Sequence, residues 1–159
     1  MEKRGISHYR TPDYRVFYAA PYFNVDLDYE LEWHKKHVKK LRKHREKPHL
    51  FHQQHSKGKT SHERYRHFEE HVVKSIPFHE KFIRDHERRL RTMLGMLPKK
   101  RYKALQTISR KTWGVPEYFI YDKANKKPFF VAERPGHETT EWIRLVRKKK
   151  LCEVIVLDE

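Results

Sequence analysis

The chain has 159 residues, a net charge of +16, and apolar and charged fractions of 36% each. That length suits one lean core, and nine Phe, nine Tyr and three Trp exclude an aromatic-poor disordered chain. One cysteine, Cys152, excludes an internal disulfide framework, and the surplus of cations favours a polyanion: DNA, RNA or an anionic membrane.

The opening stretch MEKRGISHYRTPDYR has no apolar run of the kind a secretory signal carries. No later segment approaches the ~20 apolar residues of a membrane span. The expectation is an intracellular protein: cytoplasmic, nucleoid or nuclear. Residues 5–25 are rich in Tyr, Phe and Pro, and read as an extended or irregular arm, residues 1–26. Asp26 or Asp28 can cap a helix running to about Lys47, with Leu27, Leu31, His34, Val38 and Leu41 on one stripe. Residues 48–60 read as a loop broken by Pro48 and Gly58. Thr60 or Ser61 can cap a helix carrying Tyr65, Phe68, Val72 and Ile76. Pro77 fits the first turn of the next helix, whose apolar positions run from Phe78 to Leu97 before Pro98 breaks it. Residues 99–112 are compatible with a short basic helix or with a strand around Leu105–Ser109.

Charge is unevenly placed along the chain. Up to Thr112 there are 28 Lys and Arg against 13 Asp and Glu, whereas from Trp113 onward there are 9 against 8. The expected nucleic-acid-binding cations are therefore Lys35, Lys36, Lys39, Lys40, Arg42 and Lys43 on the first long helix. To these are added Arg64, Arg66, Arg88, Arg91, Lys99, Lys100, Arg101, Lys103, Arg110 and Lys111. No helix-turn-helix or zinc-finger spacing is present, which points to binding directed by shape rather than by base sequence. Twelve of the thirteen histidines fall in the same basic region. His34/His37, His67/His71 and the run His49, His52, His55 have spacings that can hold Zn²⁺ or another transition metal. Their alternation with Lys and Arg reads instead as a solvated, phosphate-facing surface.

From Trp113 the pattern changes. Tyr118–Tyr121 and Phe129–Ala132 are aromatic and β-branched runs, joined by the turn-forming DKANKK of Asp122–Lys127, and predict an antiparallel hairpin. PGHETTEWIRLVRKKK predicts a helix with Trp142, Ile143, Leu145 and Val146 on its apolar side. Leu151–Leu157 predicts a last strand, apolar enough to be buried on both faces, which joins the hairpin through the crossover helix. Cys152 at its start reads as a buried small hydrophobe and not a nucleophile.

The stretch GVPEYFIYDKANKKPFFVAERPG, with its Trp-bearing helix and apolar strand, resembles the VRR-NUC family of the PD-(D/E)xK nuclease superfamily over about residues 113–159. The resemblance implies an α/β fold: a helical basic N-terminal region, residues 27–98, packed on a small mixed sheet of restriction-endonuclease-like αβββαβ type, residues 99–159. It implies a Mg²⁺ (or Mn²⁺) site on the hairpin and structure-directed cleavage of nucleic acid, DNA ahead of RNA. Glu117 and Glu133 would ligate the metal, and Arg134 would neutralise the phosphate. Gly114-Val115-Pro116-Glu117 stands where the family has Gly-Val-Pro-Asp, and Phe130-Val131-Ala132-Glu133-Arg134 where it has Phe-Val-Glu-Val-Lys.

The second match is out of phase. Residues two apart in a strand share a face, whereas Glu133 and Arg134 are adjacent. If Arg134 replaces the lysine, its partner position is Ala132; if Glu133 is the ligand, the lysine position is Pro135. Only a β-bulge would bring both to one face. Thr139 or Thr140 stands where the family often has Gln, and Glu69, Glu70, Glu80 or Glu87 would complete the metal site. The alternative expectation is a catalytically inactive nucleic-acid-binding protein on a nuclease-like fold.

Overall fold

The computed structural model describes residues 5–55 and 57–157, with the backbone alone for residues 54 and 55. Residues 1–4 of the expected arm, the side chain of His55, and residues 158–159 lie outside the described residues. The chain divides into two compact units, Met1–Asp26 with Arg89–Glu159, and Leu27–Arg88. No helix among the described residues is long and apolar enough to cross a membrane.

In the first unit, a 3-10 turn at Ile6–Tyr9 leads into strand β1 (Tyr14–Tyr18) and a one-turn helix α1 (Ala20–Phe23). The segment expected to be an extended or irregular arm thus supplies a strand. Its Tyr-rich composition fits a pleated surface as well as it fits a loop.

The second unit begins with α2 (Leu27–Glu46), where the inner stripe is Leu27, Leu31, His34, Val38, Leu41 and His44. Asp28 and Glu30 lie in its first turn and Lys43, His44 and Arg45 in its last, the polarity a helix dipole favours. Residues 48–55, expected as loop, form α3 (Pro48–His55). Pro48 opens this helix rather than breaking the chain, because a first-turn proline lacks only an N–H that has no intrahelical partner. Thr60 caps α4 (Ser61–Phe68) in a complete capping box: its hydroxyl accepts from Glu63 N–H at 3.2 Å, and Glu63 accepts from Thr60 N–H at 3.0 Å. A π-helical turn, Glu69–Val73, follows, and then α5 (Ser75–Leu94), with Pro77 in its first turn. Within this unit Leu41, Phe51, Val72 and Ile76 form a buried cluster. Lys35 pairs with Glu87 at 3.5 Å and Arg42 with Glu80 at 3.3 Å, so α2 and the first part of α5 run antiparallel.

Residues 99–112 form helix α6 (Lys99–Thr112), which resolves the helix-or-strand ambiguity. Its buried residues are Tyr102, Leu105, Gln106, Ile108 and Ser109, a helical and not an alternating spacing. The hairpin forms as expected from β2 (Tyr118–Asp122) and β3 (Lys127–Glu133). Asp122 builds the turn by accepting from the backbone N–H groups of Ala124 and Asn125 at 3.0 and 3.1 Å. Helix α7 (His137–Lys148) then crosses over to β4 (Glu153–Leu157), which pairs parallel to β3. The sheet order is β1-β2-β3-β4, with β1 antiparallel to β2 and β2 antiparallel to β3. The fold is mixed α/β with a small four-stranded mixed sheet.

Strand β3 is paired on both sides and its residues 129–132 are all buried. On one face Phe130 packs against Phe119, Phe23 and Trp142, at ring separations of 5.1, 5.0 and 4.7 Å. The Trp142 indole N–H donates to Ser109 Oγ at 2.8 Å, so this buried donor is satisfied. On the other face Phe129 and Val131 join Tyr9 and Ile120. Strand β4 departs from expectation: only Val154 is buried. It lies at the sheet edge, with a strand neighbour on one side only.

Gly114 is buried, and a Cβ there would lie 2.6–2.8 Å from the backbone of Glu138 and Thr139 in the first turn of α7. The glycine therefore sets how closely the loop before β2 approaches that helix. Gly114→Ala should lower stability by at least the ~1–3 kcal/mol typical of overpacking. Urea unfolding checks this; an unchanged midpoint would show that α7 moves aside at no cost.

Candidate nucleic-acid interface and metal ligands

The hairpin acids sit at one end of the sheet. Tyr118 is opposite Val131, so extending the register by one residue sets Glu117 opposite Ala132. Glu117 Oε2 accepts a hydrogen bond from the backbone N–H of Glu133 at 2.8 Å. Glu117 is exposed and Glu133 half-buried, and Glu133 pairs with Leu157 of β4. By strand alternation Glu133 shares its face with Val131, and Ala132 lies on the other. Arg134 is exposed with φ of 47°, in the left-handed region, and ends the strand at this point. Strand pairing continues unbroken through Glu133↔Leu157, so no bulge at 132–133 rotates the motif. Thr139 hydroxyl reaches Val115 C=O at 3.5 Å, so it serves the loop before β2.

The cations singled out above, from Lys35 to Lys111, are all exposed. Some have acidic neighbours, such as Arg110 with Asp26 at 3.2 Å and Arg88 with Asp85 at 3.2 Å. Exposed pairs of this kind are weak and leave the groups available to a competing phosphate. Trp113 follows α6 directly, in a left-handed conformation that ends the helix, and is 84% exposed. An open groove in the first unit, about 450 Å³, is lined by Arg101, Lys127, Arg147 and Lys150 together with Cys152 and Glu153. Lys127 is held by Glu153 at 2.6 Å, which raises its pKa, chiefly through that hydrogen bond. Arg147 donates to Val154 C=O at 3.1 Å. Lys127, Arg147 and Lys150 are not among the residues expected from sequence. The basic run Arg147–Lys150 at the end of α7 is the local signal for Arg147 and Lys150.

The histidines of the second unit are not uniformly solvated. His34, His44 and His86 are buried, at 7%, 5% and 6% exposure. Helical spacing explains this: His34 and His44 continue the inner stripe of α2. His34 Nδ1 lies 2.9 Å from His79 Nδ1, and His34 Nε2 lies 3.7 Å from Glu30 Oε2. The pKa values of His37 and His79 lie below the usual histidine range. Burial is the main cause for both, followed by Lys40 and His34 for His37 and by His37 and His34 for His79. Glu30, His34 and His86 each bring a ligand atom within 4.8 Å of the others, a grouping that could hold a metal ion. Sequence reasoning names His34 but misses Glu30 and His86. The i, i+4 spacing of Glu30 and His34 is readable, whereas the approach of His86 from α5 is not.

No family model, curated protein or solved structure matches the chain.

Cys152 lines the cationic groove, where its thiol donates to Pro128 C=O at 3.4 Å. Burial pushes its pKa up to about 12, against the opposing pull of Arg101. The thiol therefore stays protonated across the neutral range and should react with iodoacetamide only slowly in the folded protein at pH 8, and at full rate in denaturant. Mass spectrometry of labelled protein checks this; rapid native labelling would contradict it.

Proposed function

We propose that this chain binds nucleic acid through phosphate contacts directed by shape, and that its hairpin acts as a structural element rather than a cleavage site. The observation that carries the reading is the exposure of every one of the expected cations in a chain of net charge +16. Lys99, Lys100 and Lys103 on α6, with Arg101 of the groove, offer a closely spaced row for a phosphate backbone. Exposed Trp113 next to Arg110 and Lys111 suits stacking on an unpaired base. The preferred partner is DNA ahead of RNA.

The hairpin geometry favours binding over cleavage. A two-carboxylate Mg²⁺ site needs acids converging on oxygen-ligand distances of about 2.0–2.1 Å. Opposite Glu117 stands the methyl group of Ala132, and Glu117 is engaged by the Glu133 N–H. Arg134 can hold a phosphate but cannot act as a base, since it does not deprotonate. The crossover from β3 through α7 to a parallel β4 supports a VRR-NUC-like sheet whose site has lost its chemistry. A second reading, a Mg²⁺- or Mn²⁺-dependent endonuclease using Glu117, Glu133 and Arg134, is favoured by one observation: Glu117 reaches the Glu133 backbone, so both acids occupy one sheet end.

Fluorescence anisotropy with single-stranded, duplex and flapped DNA and with RNA, at rising salt, tests the proposal. The expected result is binding whose log affinity falls linearly with log salt. Lys99→Glu/Lys100→Glu/Lys103→Glu should weaken it at least about tenfold and flatten the slope by up to about one unit for each phosphate left without its cation. Salt-independent or absent binding would overturn the reading. Metal-dependent cleavage that disappears in Glu117→Ala/Glu133→Ala would establish the endonuclease instead.

A further inference from the structure

We propose that Glu30, His34 and His86 form a binding site for a divalent transition-metal ion of the Zn²⁺ class, linking α2 to α5 within the helical unit. This site is independent of the hairpin and of the nucleic-acid reading.

The donor set decides the class of ion. Two imidazoles and one carboxylate suit Zn²⁺, Co²⁺ or Ni²⁺, whereas Mg²⁺ prefers an all-oxygen shell. Glu30 and His34 are i, i+4 on one face of α2, the spacing that lets two side chains of a helix reach one ion. His86 comes from the antiparallel α5, and all three ligand atoms lie within 4.8 Å of one another. Bonds of about 2.0–2.2 Å to a tetrahedral ion separate ligand atoms by roughly 3.3–3.6 Å. The Glu30–His34 separation of 3.7 Å is already close to that. The two histidines are buried at 7% and 6% exposure, which shields the site, while the Glu30 side chain is 40% exposed and gives an ion a path in.

The contact between His34 Nδ1 and His79 Nδ1 couples the two rings, and one of its two tautomers suits an ion. When His34 Nδ1–H donates to His79 Nδ1 at 2.9 Å, the lone pair of Nε2 is directed to the Glu30 side. The ring of His34 is also stacked on Phe82 at 5.0 Å and 5°, which fixes its plane. Three protein ligands leave one position of a four-coordinate ion for water or another group. The ion would tie together two helices whose outer faces carry many like charges, and would close the long loop between residues 34 and 86.

The test is titration of the full chain, purified without a histidine tag, with Co²⁺ and then Zn²⁺. One equivalent of Co²⁺ should bind, with visible d–d bands and no thiolate charge-transfer band, and Zn²⁺ should displace it. The thermal midpoint should rise with metal concentration. Glu30→Gln keeps helix propensity at a half-exposed position and should weaken binding at least about tenfold. His86→Gln should do the same. His71→Gln, in the separate His67/His71 pair, should leave it unchanged. Circular dichroism shows whether each variant is folded. Absence of saturable binding by the wild type, or wild-type affinity in folded Glu30→Gln, would overturn the site, as would loss of binding in His71→Gln alone.

Discussion

The pairing of β3 on both sides is the constraint that organises the sheet unit. Phe129, Phe130, Val131 and Ala132 point alternately to two buried faces, and a shift by one residue would drive each side chain into a space packed for another. Phe130 is committed to Phe23, Phe119 and Trp142, and Phe129 and Val131 to Tyr9 and Ile120. This commitment fixes the phase of everything at the strand's end. Ala132 must lie across from Glu117, and Glu133 must fall on the opposite face. The chemistry available at the hairpin is therefore decided by packing several residues away from it.

The same phase gives Glu117 a different task. Its carboxylate takes the N–H of Glu133, the last residue of β3, and its backbone C=O accepts from Ala19 just after β1. One residue thus joins the ends of β1 and β3 around the start of β2. Gly114, three residues earlier, allows the loop to lie against the first turn of α7. Gly114 and Glu117 of the Gly-Val-Pro-Glu stretch therefore each have a structural role within the fold. The cations lie outside this framework, exposed on helix faces and in the groove by β4.

Much of the fold is legible in the sequence because periodicity reports burial directly. The stripe of α2, the capping signal at Thr60, the hairpin around DKANKK and the crossover through Trp142 all follow from spacing. Where one residue type serves two structures, spacing is not enough. Pro48 starts a helix as readily as it ends one, and the aromatic segment around Tyr14–Tyr18 finds its partner strand about a hundred residues later. A nearly all-apolar sequence in β4 does not guarantee two buried faces, because sheet order, not composition, makes it an edge. The site is less legible. Alternation in the strand exposes the misphasing of Ala132, Glu133 and Arg134, but not the hydrogen bond that engages Glu117. The Glu30–His34–His86 grouping needs the antiparallel approach of α5, which no local pattern encodes.

If packing of β3 governs the hairpin, no metal is held between Glu117 and Glu133. Amide NMR spectra recorded during a Mn²⁺ titration decide this, since the paramagnetic ion broadens nearby amides wherever it binds. The amides of Glu117–Phe119 and Val131–Arg134 should keep their intensity at stoichiometric Mn²⁺. Selective broadening of those hairpin amides, abolished in Glu117→Gln, would contradict the structural role given to Glu117 and return the sheet end to the status of a working metal site.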